Sequence, residues 1–386
     1  MTTATANKLE VSTEIISLQD RGRFIEMLSE AVAAIDRNPP VPILTGVLIE
    51  VEGSQMTLTG SDSSSSIRVI DEAVSTYMGS LSFVVPGNLF LEAMKKLPQG
   101  EIEFEIVPDV SLTIRLTVGK RKPVTFQLNL MKEEDYPRYV HQTLDNQLTM
   151  QSNDLATLLK TSHYAAEKKD DGILSGIQFL IGEGKLTVFA TNRHRLAMNQ
   201  LHLDTPVGLS NIVIPGNAAK EIIKVASSID GDISIEYSEN LFQLVTEKLI
   251  YQTRLLDGNY PDCSKIITPN YSTLLKLKRE LLFTALDRAS VCEGKVTIFD
   301  LNNNKLVIKV KSDTQYEEEV EVDLLEGKEL LIGVDVTLFI DLLKHIHSEE
   351  IEIRCNGPLS PICISPTSDN VMKHVALVLP IRLNRE

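Results

Sequence analysis

Stretches of this chain are copies of one another. FVVPGNLFLEAMKKL, with its proline at Pro86, recurs as IVIPGNAAKEIIKVA, with its proline at Pro215. It recurs again, without the proline, as LLIGVDVTLFIDLLKHI around Val334. The first two lie 129 residues apart, the second and third 119. Other marks keep the step. EEDYPRY at Tyr136-Pro137 returns 124 residues on as DGNYPDC at Tyr260-Pro261. PILTGVLIEVEGSQMTLTGSD, from Pro42, matches ILSGIQFLIGEGKLTVFATN, from Ile173, with a degraded third copy, VTIFDLNNNKLVIKVKSD, from Val296. A long-period repeat is a supersecondary unit copied in tandem. The 386 residues therefore predict three domains with joints near 142 and 268: residues 9–142, 143–268 and 269–386, after an extended N-terminus, 1–8.

Each copy has the same grammar. First comes a helix with an apolar stripe: Phe24, Leu28, Val32 and Ile35; then Leu155, Leu158, Leu159 and Ser162; then Leu282, Ala285, Leu286 and Ala289. Alternating strands follow, joined by short turns such as EGSQ, GEGK and NNNK. A second helix opens at a Pro-Gly-Asn start, with Asn88 and Asn217 as expected N-caps. VTFQLNL and ISIEYSENLFQLV then alternate as on an antiparallel sheet with one solvated face. The fold class expected is α+β: three tandem domains, each with two helices on antiparallel sheets of roughly eight strands.

Charge narrows the function. Lys and Arg number 38 against 53 Asp and Glu, a net charge of −15, so nonspecific coating by nucleic acid is not expected. The basic residues are segregated. Predicted helices 88–97, 154–169, 217–227 and 278–290 hold ten cations and six acids, +4, leaving −19 elsewhere. The cations are Lys95, Lys96, Lys160, Lys168, Lys169, Lys220, Lys224, Lys278, Arg279 and Arg288. EEEVEVD, Glu317 to Asp323, alternates acid with valine and predicts one solvated acidic face. Helices facing one side and sheets the other give a basic inner surface that touches phosphates without reading bases.

Enzyme signatures are missing. The sequence has no GxGxxG, GxxxxGK[ST] or GxSxG. His345 and His347 form H-x-H on a predicted helix, where i and i+2 do not share a face. SDSSSSI, 61–67, reads as a polar turn. No run approaches the roughly 20 apolar residues of a membrane span. The N-terminus does not read as a secretory signal. Cys263, Cys292, Cys355 and Cys363 form no CxxC pair, which fits a reducing cytoplasm. No catalytic residue, metal or other cofactor is expected.

ATNRHRLAM (190–198), LLDGNYPDCSKIITP (255–269), VALVLPIRL (375–383) and PILTGVLIEV (42–51) resemble signature stretches of the bacterial sliding clamps, the beta subunits of the DNA polymerase III holoenzyme. The resemblance covers residues 9–383, in order. It implies a non-catalytic processivity factor: a head-to-tail homodimeric ring sliding on double-stranded DNA without sequence preference. Its implied partners are the replicative polymerase, the clamp loader and other proteins carrying a short clamp-binding motif. The alternative class is a clamp-derived repeat scaffold that binds peptides without encircling DNA.

Carried over residue by residue, the family's partner-peptide pocket between domains two and three falls on Leu174, Thr191, His194, Arg195, Leu196, Pro261, Lys265, Ile266, Ser360, Leu377, Leu379, Pro380, Ile381, Arg382 and Leu383. Phe126, facing Val291 and Cys292, aligns with the dimer contact. Arg37, near the Pro-x-x-Pro stretch, joins Lys95, Lys96, Lys160, Lys168, Lys169, Lys220, Lys224, Lys278 and Arg279 as DNA-facing. The chain departs from the family at Asn192-Arg193-His194-Arg195-Leu196, where Asp-Gly-His-Arg-Leu is usual, and at Lys265, where Arg is common.

Overall fold

The computed structural model describes residues 13–36, 38–72, 74–75, 77–138, 143–168, 172–204, 208–267, 270–292, 296–302, 305–311, 313–327, 329–367 and 372–383. Among them are six α-helices: α1 (Arg21–Ala33), α2 (Gly87–Lys96), α3 (Ser152–Lys160), α4 (Gly216–Ser227), α5 (Arg279–Ala289) and α6 (Val336–Leu343). Each repeat contributes two. All strand pairing is antiparallel among the described residues.

The chain divides into two compact bodies. The first runs to Asp145 and includes Ile233–Arg254; the second takes Asn146–Asp232 and Leu255 onward. In the first, strands Ser80–Pro86, Gly46–Glu52, Gln55–Ser61 and Ser65–Asp71 lie side by side, and Leu249–Arg254 continues the sheet with Ile67 opposite Tyr251. A second sheet orders Glu14–Ser17, Glu101–Val107, Ser111–Thr117 and Val124–Asn129. The rings of Phe24 on α1, Phe90 on α2 and Phe104 pack with centroids 5.4 to 5.8 Å apart. Buried edge-to-face aromatics of this kind add to the area they remove from water. Helix α1 lies so close to the sheet that a Cβ on Gly60 would stand 1.9 Å from the Ala31 carbonyl oxygen.

In the second body, strands Ser210–Pro215, Gly176–Gly182, Lys185–Thr191 and Arg195–His202 form one run. Met372–Val378 joins it in register from Arg195 opposite Val378 to Leu201 opposite Met372. Ile362–Pro366, Glu350–Cys355, Thr273–Lys278 and Asp323–Glu326 complete the sheet, so repeats two and three share it. A separate sheet orders Gln315–Glu321, Lys305–Lys311, Val296–Asn302 and Leu330–Asp335. On the first of these, Glu317, Glu319 and Glu321 are exposed and Val320 is buried, as the alternation predicts.

Several local expectations are corrected. Asn88 and Asn217 do not cap. Helices α2 and α4 begin one residue earlier, at Gly87 and Gly216, after Pro86 and Pro215, and no side chain caps them. Both glycines are placed by crowding: a Cβ on Gly87 would meet Ile35 at 2.7 Å, and one on Gly216 the Ser175 carbonyl oxygen at 2.5 Å. In the third copy Asp335 caps instead, accepting from Thr337 N at 2.9 Å. The helix expected over 154–169 stops at Lys160. The Thr161 hydroxyl bonds back to the Thr157 carbonyl at 2.7 Å, a contact that bends helices. A 3-10 turn, His163–Ala165, follows. Lys168 thus lies beyond the helix. His345 and His347 likewise follow α6 instead of lying on it. In Val124–Asn129 only Leu128 is buried, because this strand is the edge of its sheet.

Candidate peptide pocket and charged surfaces

Strand alternation sorts the signature ATNRHRLAM. Leu196 and Met198 point to one face, where they join Leu174, Phe189, Val213, Tyr260, Cys263, Val375 and Leu377 in one apolar cluster. Arg195 and Ala197 point to the other. Arg195 is 4% exposed; its guanidinium pairs with Asp341 of α6 at 2.5 Å and donates to the Tyr164 carbonyl. The structure therefore sets Arg195 on the sheet face opposite the apolar cluster, where it joins repeat two to repeat three.

The turn before that strand is stapled. Asn192 Oδ1 accepts from His194 N and Arg195 N at 3.1 and 3.0 Å, and Thr191 Oγ1 donates to the Arg195 carbonyl at 2.7 Å. Leu379 N donates to the His194 carbonyl at 2.9 Å, bringing the terminal segment against the turn. Ile381 N donates to Gly333 O at 2.7 Å, and Leu383 lies over Gly333. Leu174, Thr191, His194, Leu196, Leu377 and Leu379 are thus gathered at one end of the shared sheet. Pro261 and Lys265 are exposed beside Tyr260, and Lys265 pairs with Asp262 at 2.9 Å. Ile266 and Ser360 line an adjoining cleft of about 130 Å³ with Arg354 and Cys363. Pro380 and Ile381 are half-buried; Arg382 is exposed.

The same cluster includes a buried tyrosine to which no sequence motif assigns a role. Tyr260 donates toward Gly176 O at 3.5 Å and accepts from Thr191 N at 3.1 Å; burial raises its pKa. Burial also pushes the Cys263 thiol up to about 11, so it behaves as packing and not as a nucleophile. Tyr260 is half of the Tyr-Pro repeat mark. Behind the sheet, Ser162 Oγ accepts from Asn199 Nδ2 at 2.6 Å, and Asn199 Oδ1 meets His374 Nδ1 at 2.6 Å. Burial, with His345 and His347 nearby, lowers the His374 pKa to about 4. No sequence signal announces this chain.

The expected DNA-facing residues Lys95, Lys96, Lys160, Lys168, Lys220, Lys224 and Lys278 are exposed. Lys224 pairs with Glu221 at 2.8 Å; Arg279 is half-buried, pairing with Glu280 at 2.9 Å. Arg37 and Lys169 lie outside the described residues. Of the expected contact residues, Phe126 is 44% and Val291 84% exposed, and Cys292 is half-buried. Among the described residues no three His, Cys, Asp or Glu side chains group to hold a metal, and no helix is long and apolar enough to cross a membrane.

A chain of three α+β repeats, with an apolar cluster at the sheet joining the last two, has the architecture of a DNA-clamp protein. Family models for the DNA polymerase III beta subunit match in order: the N-terminal domain over residues 17–140, the central domain over 149–262 and the C-terminal domain over 264–382. The beta sliding clamp of Staphylococcus epidermidis is 29% identical over 375 residues, covering 94% of this chain and 98% of that one; that of Staphylococcus aureus matches equally. The DNA polymerase sliding clamp of Bacillus subtilis superposes with a TM-score of 0.87 at 27% identity, over 97% of this chain and all of that one. A Pseudomonas aeruginosa clamp bound to griselimycin shares the fold, with a TM-score of 0.86 at 22% identity over 96% and 99%. The chain belongs to the DNA polymerase III beta subunit family, the bacterial sliding clamps.

Proposed function

We propose that this protein is a DNA polymerase processivity factor, non-catalytic itself, that works in the cytoplasm as a head-to-tail homodimeric ring around duplex DNA. The observation that carries the reading is the run of all three beta-subunit domains, in order, along one chain. Two such chains supply six repeats. Closing them removes free sheet edges, and residues 9–142, 143–268 and 269–386 are the three domains so arranged.

The exposed lysines of α2, α3 and α4, with Lys278, support sequence-independent phosphate contact. Lys168 and Arg279 belong to the same proposed surface; Arg37 and Lys169, expected there too, lie outside the described residues. A topologically held ring needs only weak contacts, and the tether raises the polymerase's effective concentration at the primer end. The apolar cluster around Leu174, Leu196 and Leu377 supports the peptide pocket, on which polymerase, clamp loader and other partners would dock by short Leu- or Phe-anchored segments. Phe126 and Val291, large apolar side chains left in solvent, support the subunit contact, with Cys292 beside it.

The test is native mass by light scattering across a dilution series. A stable species at twice 42.9 kDa supports the ring. A monomer at every concentration contradicts it.

A further inference from the structure

Repeats two and three meet along a seam of imidazoles. The ring of Tyr164, from the turn after α3, stacks on His345, from the end of α6, with centroids 4.4 Å apart and planes 13° from parallel. His163 meets His345 edge-on at 5.9 Å. The Arg195 guanidinium lies 5.2 Å from the Tyr164 centroid and pairs with Asp341 of α6. His374, opposite Asn199 on the strand pair beneath, is 6% exposed.

Hydrogen bonds fix how two of these rings carry their protons. Asn199 Nδ2 donates to Ser162 Oγ, so its Oδ1 is what His374 Nδ1 meets at 2.6 Å, and Nδ1 is the donor. His345 Nδ1 lies 2.7 Å from the Asp341 carbonyl, an acceptor, and donates there. Each neutral ring therefore keeps its lone pair on Nε2. His374 Nε2 is buried with no hydrogen-bond partner among the described residues. The charged and titratable groups around the rings are Lys160 at the end of α3, Lys168, Lys220 of α4, Arg195, Asp341 and His347. Asp341 is the one carboxylate among them, and Arg195 holds it. A proton added to this seam meets cations and no free acceptor, and a buried unpaired cation is costly.

We propose that His163, His345 and His374 make the seam an acid-triggered joint, whose protonation loosens α6 and strand Met372–Val378 from repeat two. Imidazole is the side chain whose charge ordinarily changes between pH 5 and 8. Opening the seam returns the rings to water, where the charged form is at home. The same strand pair carries the apolar cluster on its other face, with Leu196 opposite Leu377 and Met198 opposite Val375. Opening the joint therefore opens that cluster too. Burial lowers His163 and brings His374 down to about 4 in the closed seam. A return of His374 to about 6.5 on opening multiplies the opening equilibrium about thirtyfold between pH 7.5 and pH 5.

Hydrogen exchange of the full-length protein, expressed as protection factors at pH 7.5 and pH 5, tests this. Amides of Arg195–His202, Met372–Val378 and α6 should lose protection about thirtyfold in acid. Those of Gly46–Glu52 and Gln55–Ser61, in the first body, should lose less than about threefold. H374N keeps a donor for Asn199, and H345N keeps one for the Asp341 carbonyl; both lack the titrating nitrogen. Each should reduce the acid loss at least about threefold while leaving protection at pH 7.5 close to the parent's. If H374N does not fold, H345N alone decides. An acid loss spread equally over both bodies, no loss in the parent, or a loss that survives unchanged in a folded variant overturns the proposal.

Discussion

Arg195 and Asp341, 146 residues apart, form an ion pair at 2.5 Å that ties strand Arg195–His202 to helix α6. The arginine is 4% exposed and the aspartate one third exposed, and Arg195 Nε has no hydrogen-bond partner. Removing the carboxylate leaves a buried guanidinium with the Tyr164 carbonyl as its remaining acceptor. Asp341→Ala should therefore cost about 2–3 kcal/mol in urea denaturation, toward the low end for a broken buried pair because water reaches Asp341.

The buried His374 gives a signed pH dependence. Its pKa is lowered to about 4 in the folded protein, first by burial and then by His345 and His347, against about 6.5 in an unfolded chain. The stability it confers is fully present above pH about 6.5 and is lost as pH falls toward 4. His163, lowered mainly by burial, adds a contribution of the same sign. The melting temperature should fall from pH 7 to pH 5, and His374→Gln should flatten that fall. An equal fall in the variant would contradict the assignment.

At Gly60 helix α1 lies directly on the sheet. The Cβ of an alanine there would collide with the Ala31 carbonyl oxygen, which is backbone and cannot rotate aside. Gly60→Ala should destabilise by about 3 kcal/mol, at the upper end for overpacking. Thermal or urea unfolding measures it.

Val291 tests the proposed subunit contact. It is 84% exposed, so a charge there leaves the fold intact. Val291→Glu should give a soluble monomer on sizing while its circular dichroism matches the parent. A variant that stays dimeric removes Val291 from the contact.

Leu379 tests the pocket. At 38% exposure, its truncation should move stability little. The loss of an exposed apolar contact beside the cluster should weaken a Leu- or aromatic-anchored peptide by about tenfold, as hot-spot residues do. Titration of Leu379→Ala against the parent reads the difference.

The repeat made much of the fold legible. Because each copy carries its helix stripe and strand alternation in the same order, Phe24, Leu155 and Leu282 could each be placed on a core-facing helix. The gathering of Leu174, Leu196 and Leu377 was also anticipated, by resemblance. What escaped depends on contacts between distant residues. Arg195 and Leu196 are neighbours in sequence but lie on opposite sheet faces, and only register fixes which is which. Helix α3 ends at Lys160, where Thr161 bonds back to Thr157, a boundary that propensity does not dictate. The Ser162–Asn199–His374 chain joins positions 37 and 175 residues apart, with no periodicity to reveal it. The expected cap at Asn88 failed because the helix already starts at Gly87, where a Cβ would crowd Ile35 and Val47.

The central claim is topological: the protein holds DNA by surrounding it. The direct measurement is retention on a nicked circular plasmid, assembled with a bacterial clamp loader and ATP, then passed through gel filtration at high salt. An encircling protein stays with the circle and is released when a restriction cut linearises it. Equal retention on circular and linear DNA, or release from both, would contradict encirclement.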